Sequence, residues 1–198
     1  MKQLVPAASA LALILAACSP EAPPPADAPA AAAPAPGAPA PAGISTALLE
    51  ADGVTLANPA GGADRKLTFG EAQTEADAVA FVAGLNGGQP LRRGSNEECG
   101  AGPLTFAYLG DWFELAFSDG QLAGWTASEG APRGFATASG VHVGSTLAEL
   151  RAAHPDVTVT TDTLGPEFAA GEIFGFLSGT TDAATVTSMW AGVNCVFR

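Results

Sequence analysis

Positive charge is scarce in this chain: 198 residues carry eight Lys and Arg against 20 Asp and Glu, a formal net charge of -12 at pH 7. Nucleic acid and anionic lipid surfaces would be repelled, so neither is expected as a partner. Histidine is nearly absent, with only His142 and His154. Neither belongs to a His-Glu-x-x-His helix or a Cys/His zinc pattern, and His154, before Pro155, reads as a helix C-cap. No Gly-x-Ser-x-Gly elbow, phosphate-binding glycine loop or alternating-acid calcium loop occurs. Glu97 or Glu98 with Asp111 or Glu114 would supply paired carboxylates, but nothing fixes their separation and they read as surface acids. No metal, cofactor or catalytic activity is therefore expected. No apolar run reaches the roughly 20 residues that a membrane-spanning helix needs.

Three cysteines remain to be explained: Cys18, Cys99 and Cys195. Lys2 precedes an apolar run from Leu4 to Ala17, and Leu15-Ala16-Ala17 leads directly into Cys18. This segment resembles the lipobox of bacterial lipoproteins. The resemblance implies that residues 1–17 are a signal peptide, that Cys18 is acylated with palmitate-type chains, and that it begins the mature protein. Ser19 stands where aspartate would favour inner-membrane retention, so the resemblance points to the inner leaflet of an outer membrane, facing the periplasm. Several acyl chains would hold far more firmly than one.

Ser19 to Gly43 is a Pro/Ala tract with almost no branched or aromatic side chains, unable to bury a core. If extended at ~3.1 Å per residue, this tether reaches roughly 75 Å. Residues 18–43 thus read as anchor and tether, and residues 44–198 as one domain long enough to bury a core. In an oxidising compartment the even pair Cys99 and Cys195 reads as a disulfide, worth about 4 to 5 kcal/mol by the chain-entropy model. The alternatives are two buried free thiols or a redox couple, although no Cys-x-x-Cys spacing supports the latter.

Two rounds of local signals follow. Thr74 caps a helix with Asp77 at the reciprocal position, Ala78, Phe81, Val82 and Leu85 form its apolar stripe, and Asn86-Gly87-Gly88 stops it. Strands are expected at Leu104–Leu109, Trp112–Phe117 and Gln121–Thr126, the last two joined through Ser118-Asp119-Gly120. In the second round Thr146 and Glu149 form a capping box, and Leu147 and Leu150 start the stripe. Strands are then expected at Val157–Thr161, Glu172–Ser178 and Ala184–Ala191. Trp125 and Trp190 close the two rounds and read as core. The expected fold is α+β: two tandem helix-plus-antiparallel-strand units, about 64–130 and 140–198, in one layered domain joined by one disulfide.

Val143-Gly144-Ser145-Thr146 running into Leu147-Ala148-Glu149-Leu150, with the helix-then-strands order, resembles secreted beta-lactamase inhibitory proteins and the small lipoproteins of outer-membrane assembly. That resemblance implies an exposed sheet face that binds protein. The expected function is a non-enzymatic protein-binding or scaffold module of the envelope, contacting an envelope protein or cell-wall component. The alternative is an inhibitor of a periplasmic or secreted enzyme. Trp112 alternates with Phe113 and shares the wetter strand face with Glu114, so Tyr108, Trp112 and Glu114 form the candidate contact surface.

The anchor is directly testable. Labelled palmitate fed to expressing cells enters the protein, and Cys18→Ser loses the label; equal labelling of both forms contradicts acylation at Cys18.

Overall fold

The computed structural model describes residues 44–58, 61–71 and 74–195. The expected signal peptide, Cys18 and the Pro/Ala tether lie outside the described residues. Among those described, no helix is long and apolar enough to cross a membrane.

The chain opens with a meander, β1 (Thr46–Glu50), β2 (Gly53–Leu56) and β3 (Arg65–Thr68). Alternation drives it: Ala47 and Leu49 are buried while Thr46 and Leu48 are exposed, as period-two packing of one face requires. A Cβ at Gly53 would stand 2.2 Å from the Leu67 carbonyl oxygen, so only glycine lets β2 lie this close to β3. β8 (Gly134–Ala136) adds in parallel beside β1, completing a four-stranded sheet of order β3-β2-β1-β8.

Helix α1 (Glu75–Leu85) starts at Thr74, whose hydroxyl accepts the Asp77 N–H at 3.1 Å. The Asp77 carboxylate takes the Thr74 hydroxyl at 2.8 Å, so this cap is only half a box. Four antiparallel strands follow: β4 (Arg92–Asn96), β5 (Leu104–Leu109), β6 (Phe113–Ser118) and β7 (Gln121–Ser128). Asp119 (φ 49°) and Gly120 (φ 76°) turn between β6 and β7, both left-handed, as a two-residue hairpin demands. Helix α2 (Leu147–Ala153) has the complete capping box: Thr146 accepts from Glu149 N–H, and the Glu149 carboxylate accepts from Thr146 N–H at 2.7 Å. His154 is its C-cap, as expected. β9 (Thr158–Asp162), β10 (Gly165–Ala170), β11 (Ile173–Leu177) and β12 (Val186–Gly192) complete an eight-stranded antiparallel sheet of order β4-β5-β6-β7-β12-β11-β10-β9.

The expected α+β layout of two helix-plus-strand units is overturned. Among the described residues strand accounts for 46% and helix for 12%, in two sheets of four and eight strands with two helices. The cause is physical. α2 has seven residues, too few to cover a large sheet, and the remaining cover comes from a second sheet built largely by residues 46–68.

One main core joins the layers. Leu49, Leu56, Leu67 and Phe135 of the small sheet, Val82 of α1 and Leu147 and Leu150 of α2 cluster with Leu115, Phe117, Trp125, Phe168 and Met189 of the large sheet. The indole N–H of Trp125 donates to the Glu50 carbonyl at 2.8 Å, tying β7 to the end of β1. Trp125 is 1% exposed. Trp125→Ala is expected to cost ~3–5 kcal/mol through cavity formation. Trp125→Phe, which removes the indole donor to the Glu50 carbonyl, costs ~1–3 kcal/mol. Urea midpoints at constant slope measure both; midpoints unchanged from wild type contradict this role.

Candidate functional site

The central strands of the large sheet turn one set of side chains into the main core and the other set away from it. On the outer set, direct cross-strand pairing aligns a single row: Arg92, Tyr108, Glu114, Thr126, Trp190, Phe174, Ala169 and Thr158, one from each of the eight strands. Directly opposed residues share a face, so the row is continuous. Around it lies a small separate cluster of Cys99, Leu104, Phe106 and Ala116, with Tyr108, Val193 and Cys195 packed against it.

Tyr108 is the hub of the polar end. The Arg92 guanidinium lies 3.7 Å from its ring centroid, a cation–π contact, and also meets Asp111 at 3.4 Å. The ring rests over Gly94, where a Cβ would stand 3.2 Å from it. The phenol donates to Glu114. Burial pushes the Glu114 carboxyl above the ordinary glutamate range, against the Tyr108 hydrogen bond and the Arg92 charge, which favour its ionised form. Burial and then the Glu114 charge raise the Tyr108 phenol above its usual value, with Arg92 opposing.

Two hollows flank this pair. The larger, about 390 Å³, is bounded by Asn96, Phe106, Tyr108, Glu114, Thr126, Asn194 and Cys195 among others. The smaller, about 100 Å³, is bounded by Arg92, Tyr108, Trp112, Glu114 and Ser128 among others. The three residues expected at the contact surface, Tyr108, Trp112 and Glu114, therefore meet around one hollow. Trp112 is placed differently from expectation. It sits in the turn before β6, half-buried, with its indole edge-on to Phe135 at 4.9 Å and 84°. Gly110, at φ 63°, leaves the space that the indole occupies, since a Cβ there would stand 2.6 Å from Trp112 Nε1.

Trp190 is buried as expected but on the outer side, with its ring centroid 5.0 Å from that of Phe176 and 6.4 Å from that of Phe174. Adjacent positions on paired strands put Trp125 and Trp190 on opposite faces, because Trp125 pairs with Ala191 and Trp190 with Thr126. Sequence reading missed Arg92, Asn96, Thr126 and Asn194. The alternation Arg92, Gly94, Asn96 was the available signal, masked by the polarity of an edge strand.

The expected disulfide is not formed in this structure. Cys99, buried, and Cys195, half-buried, are free thiols that approach to 2.6 Å. The Cys195 thiol is pushed up to about 11, first by its hydrogen bond with Cys99 and then by burial. The Asn96 side-chain amide donates to Cys195 Sγ at 3.3 Å.

Two serine–histidine contacts occur among the described residues; in one, exposed, Ser139 Oγ lies 2.8 Å from His154 Nε2 and 2.9 Å from Thr137 Oγ1. Ser145 Oγ lies 3.0 Å from His142 Nδ1, but this serine is 3% exposed and its hydroxyl also accepts the His142 backbone N–H within the same tight turn. Among the described residues no group of His, Cys, Asp and Glu is placed to hold a metal ion. The outer row offers hydrogen-bonding groups and aromatic faces, which suit recognition.

Because Tyr108 is the chain's one tyrosine, its ionisation is readable without ambiguity. Titrating tyrosinate absorbance gives a midpoint above 10 in the folded protein, and Glu114→Gln, which removes the neighbouring negative charge, lowers it toward the model-peptide value of about 10. An unchanged midpoint in Glu114→Gln contradicts the pairing. Compared with protein-family models, with curated proteins and with solved structures, the chain matches none.

Proposed function

We propose that this chain is a lipid-anchored periplasmic protein, held at the inner leaflet of the outer membrane through Cys18, that works as a non-enzymatic binding or scaffold module. Its partner is an envelope protein presenting a basic surface, received on the outer face of the large sheet around Tyr108, Trp112 and Glu114. The observation that carries the reading is the row from Arg92 to Phe174: aromatic rings and hydrogen-bonding groups in register across the sheet side turned away from the main core. Such a face supplies rigid anchors at its centre and polar groups around them, the arrangement that carries most binding energy at protein interfaces. The partner's sign follows from charge. A net -12 chain attracts positive surfaces over several ångströms, and Glu114 lies in the row itself.

A photo-crosslinking amino acid placed at position 126 should give one discrete adduct in intact cells. The same probe at position 164, where Leu164 is 50% exposed on a distant turn, should give none. Glu114→Lys should cut the adduct at position 126 by about tenfold, equivalent to ~1.4 kcal/mol of binding. Equal adducts at 126 and 164, or indifference to Glu114→Lys, overturn the proposal. A soluble enzyme in the adduct, inhibited by the purified protein, replaces the scaffold reading with that of an inhibitor.

A further inference from the structure

The Cys99 and Cys195 pair supports an inference independent of any partner. After β12 the chain turns at Gly192 (φ 72°) and crosses the outer side of the large sheet. Val193 N–H donates to the Ala123 carbonyl at 2.8 Å, and Asn194 Nδ2 donates to Thr126 Oγ1 at 2.6 Å. Gly124 makes the crossing feasible, since a Cβ there would stand 2.2 Å from the Val193 carbonyl oxygen. Cys195 then arrives beside Asn96 of β4 and against Cys99, in the loop between β4 and β5. The larger hollow is walled on this side by Asn194 and Cys195 themselves.

We propose that Cys99 and Cys195 are a redox latch: their disulfide locks the C-terminal segment across the sheet and with it one wall of the 390 Å³ hollow, whereas with the thiols free, as here, the Val193 and Asn194 hydrogen bonds hold the segment without that lock. The oxidant is a disulfide-bearing molecule, a protein disulfide or oxidised glutathione. The Cys195 thiolate attacks one sulfur of that disulfide, forming a mixed disulfide and expelling one thiolate, which takes up a proton. Cys99, deprotonated, then attacks the Cys195 sulfur and expels the second thiolate. The pair loses two protons and two electrons, one S–S bond forms, and the oxidant's S–S bond becomes two thiols.

The two positions suit a latch better than a turnover couple. Cys99 is 7% exposed, which shields the bond from exchange once formed. Cys195 faces Cys99 and Glu114, and both hold its thiol protonated at neutral pH. Closure should therefore accelerate about tenfold per pH unit between pH 7 and 9.

The test uses the full chain. Protein from an oxidising compartment, denatured and treated with iodoacetamide without reductant, should leave both Cys99 and Cys195 unmodified; alkylation of both overturns the bond. A reductant added to the folded, oxidised protein should speed amide hydrogen exchange in 193–195 and 97–99 by at least about tenfold, while β10 and β11 exchange as before. Unchanged exchange in 193–195, or acceleration across every strand, overturns the latch.

Discussion

Everything in this fold depends on an eight-stranded antiparallel sheet that buries one face in the main core. Period-two alternation commits half of the central strands' side chains to that core, where the small sheet, α1 and α2 cover them. The other half must then live without that cover. Trp125 marks the division: its ring is inside, its indole N–H reaches the Glu50 carbonyl, and its β12 neighbour Trp190 faces the opposite way. The two tryptophans look alike in sequence and serve different sides.

An outer face of this kind needs local solutions for its own apolar groups. Phe106, Leu104, Ala116 and Cys99 form a small cluster capped by Val193 and Cys195, and Phe174 and Phe176 flank Trp190. Between these two aromatic groups run Tyr108, Glu114 and Thr126, paired in register. Glu114 bears the cost of partial burial, which its hydrogen bond to Tyr108 and the Arg92 charge offset only in part. The same face therefore holds the aromatic anchors, the polar groups and the crossing C-terminal segment.

Much of the local structure was legible in the residues. The Asp119-Gly120 hairpin, the Thr146 and Glu149 box and all six expected strands fall within a residue or two of the expectation, because turn chemistry and caps act over a few neighbours. The global arrangement was not. β1 to β3 are short and end in ordinary polar loops, β4 reads Arg-Arg-Gly-Ser-Asn with no apolar alternation, and β10 opens on Gly165-Pro166. Their pairing is long-range, and a strand's partners are not written in its own residues. Trp112 shows the same limit on the small scale: alternation with Glu114 predicted a shared face, but the strand begins one residue later and the indole turns onto Phe135. Tyr108 and Glu114, directly paired within regular strands, were placed together by the same alternation.

If the outer face is the working surface of a tethered module, its aromatic residues are covered in the cell and bare in the purified protein. Hydroxyl-radical footprinting in intact envelopes and on the isolated chain compares the two states residue by residue. Protection of Tyr108, Phe174 and Phe176 in the envelope, with Leu48 and Leu164 equally reactive in both, is the result this account predicts. Equal reactivity of Tyr108 and Phe174 in both states, or protection confined to Leu48 and Leu164, would contradict it.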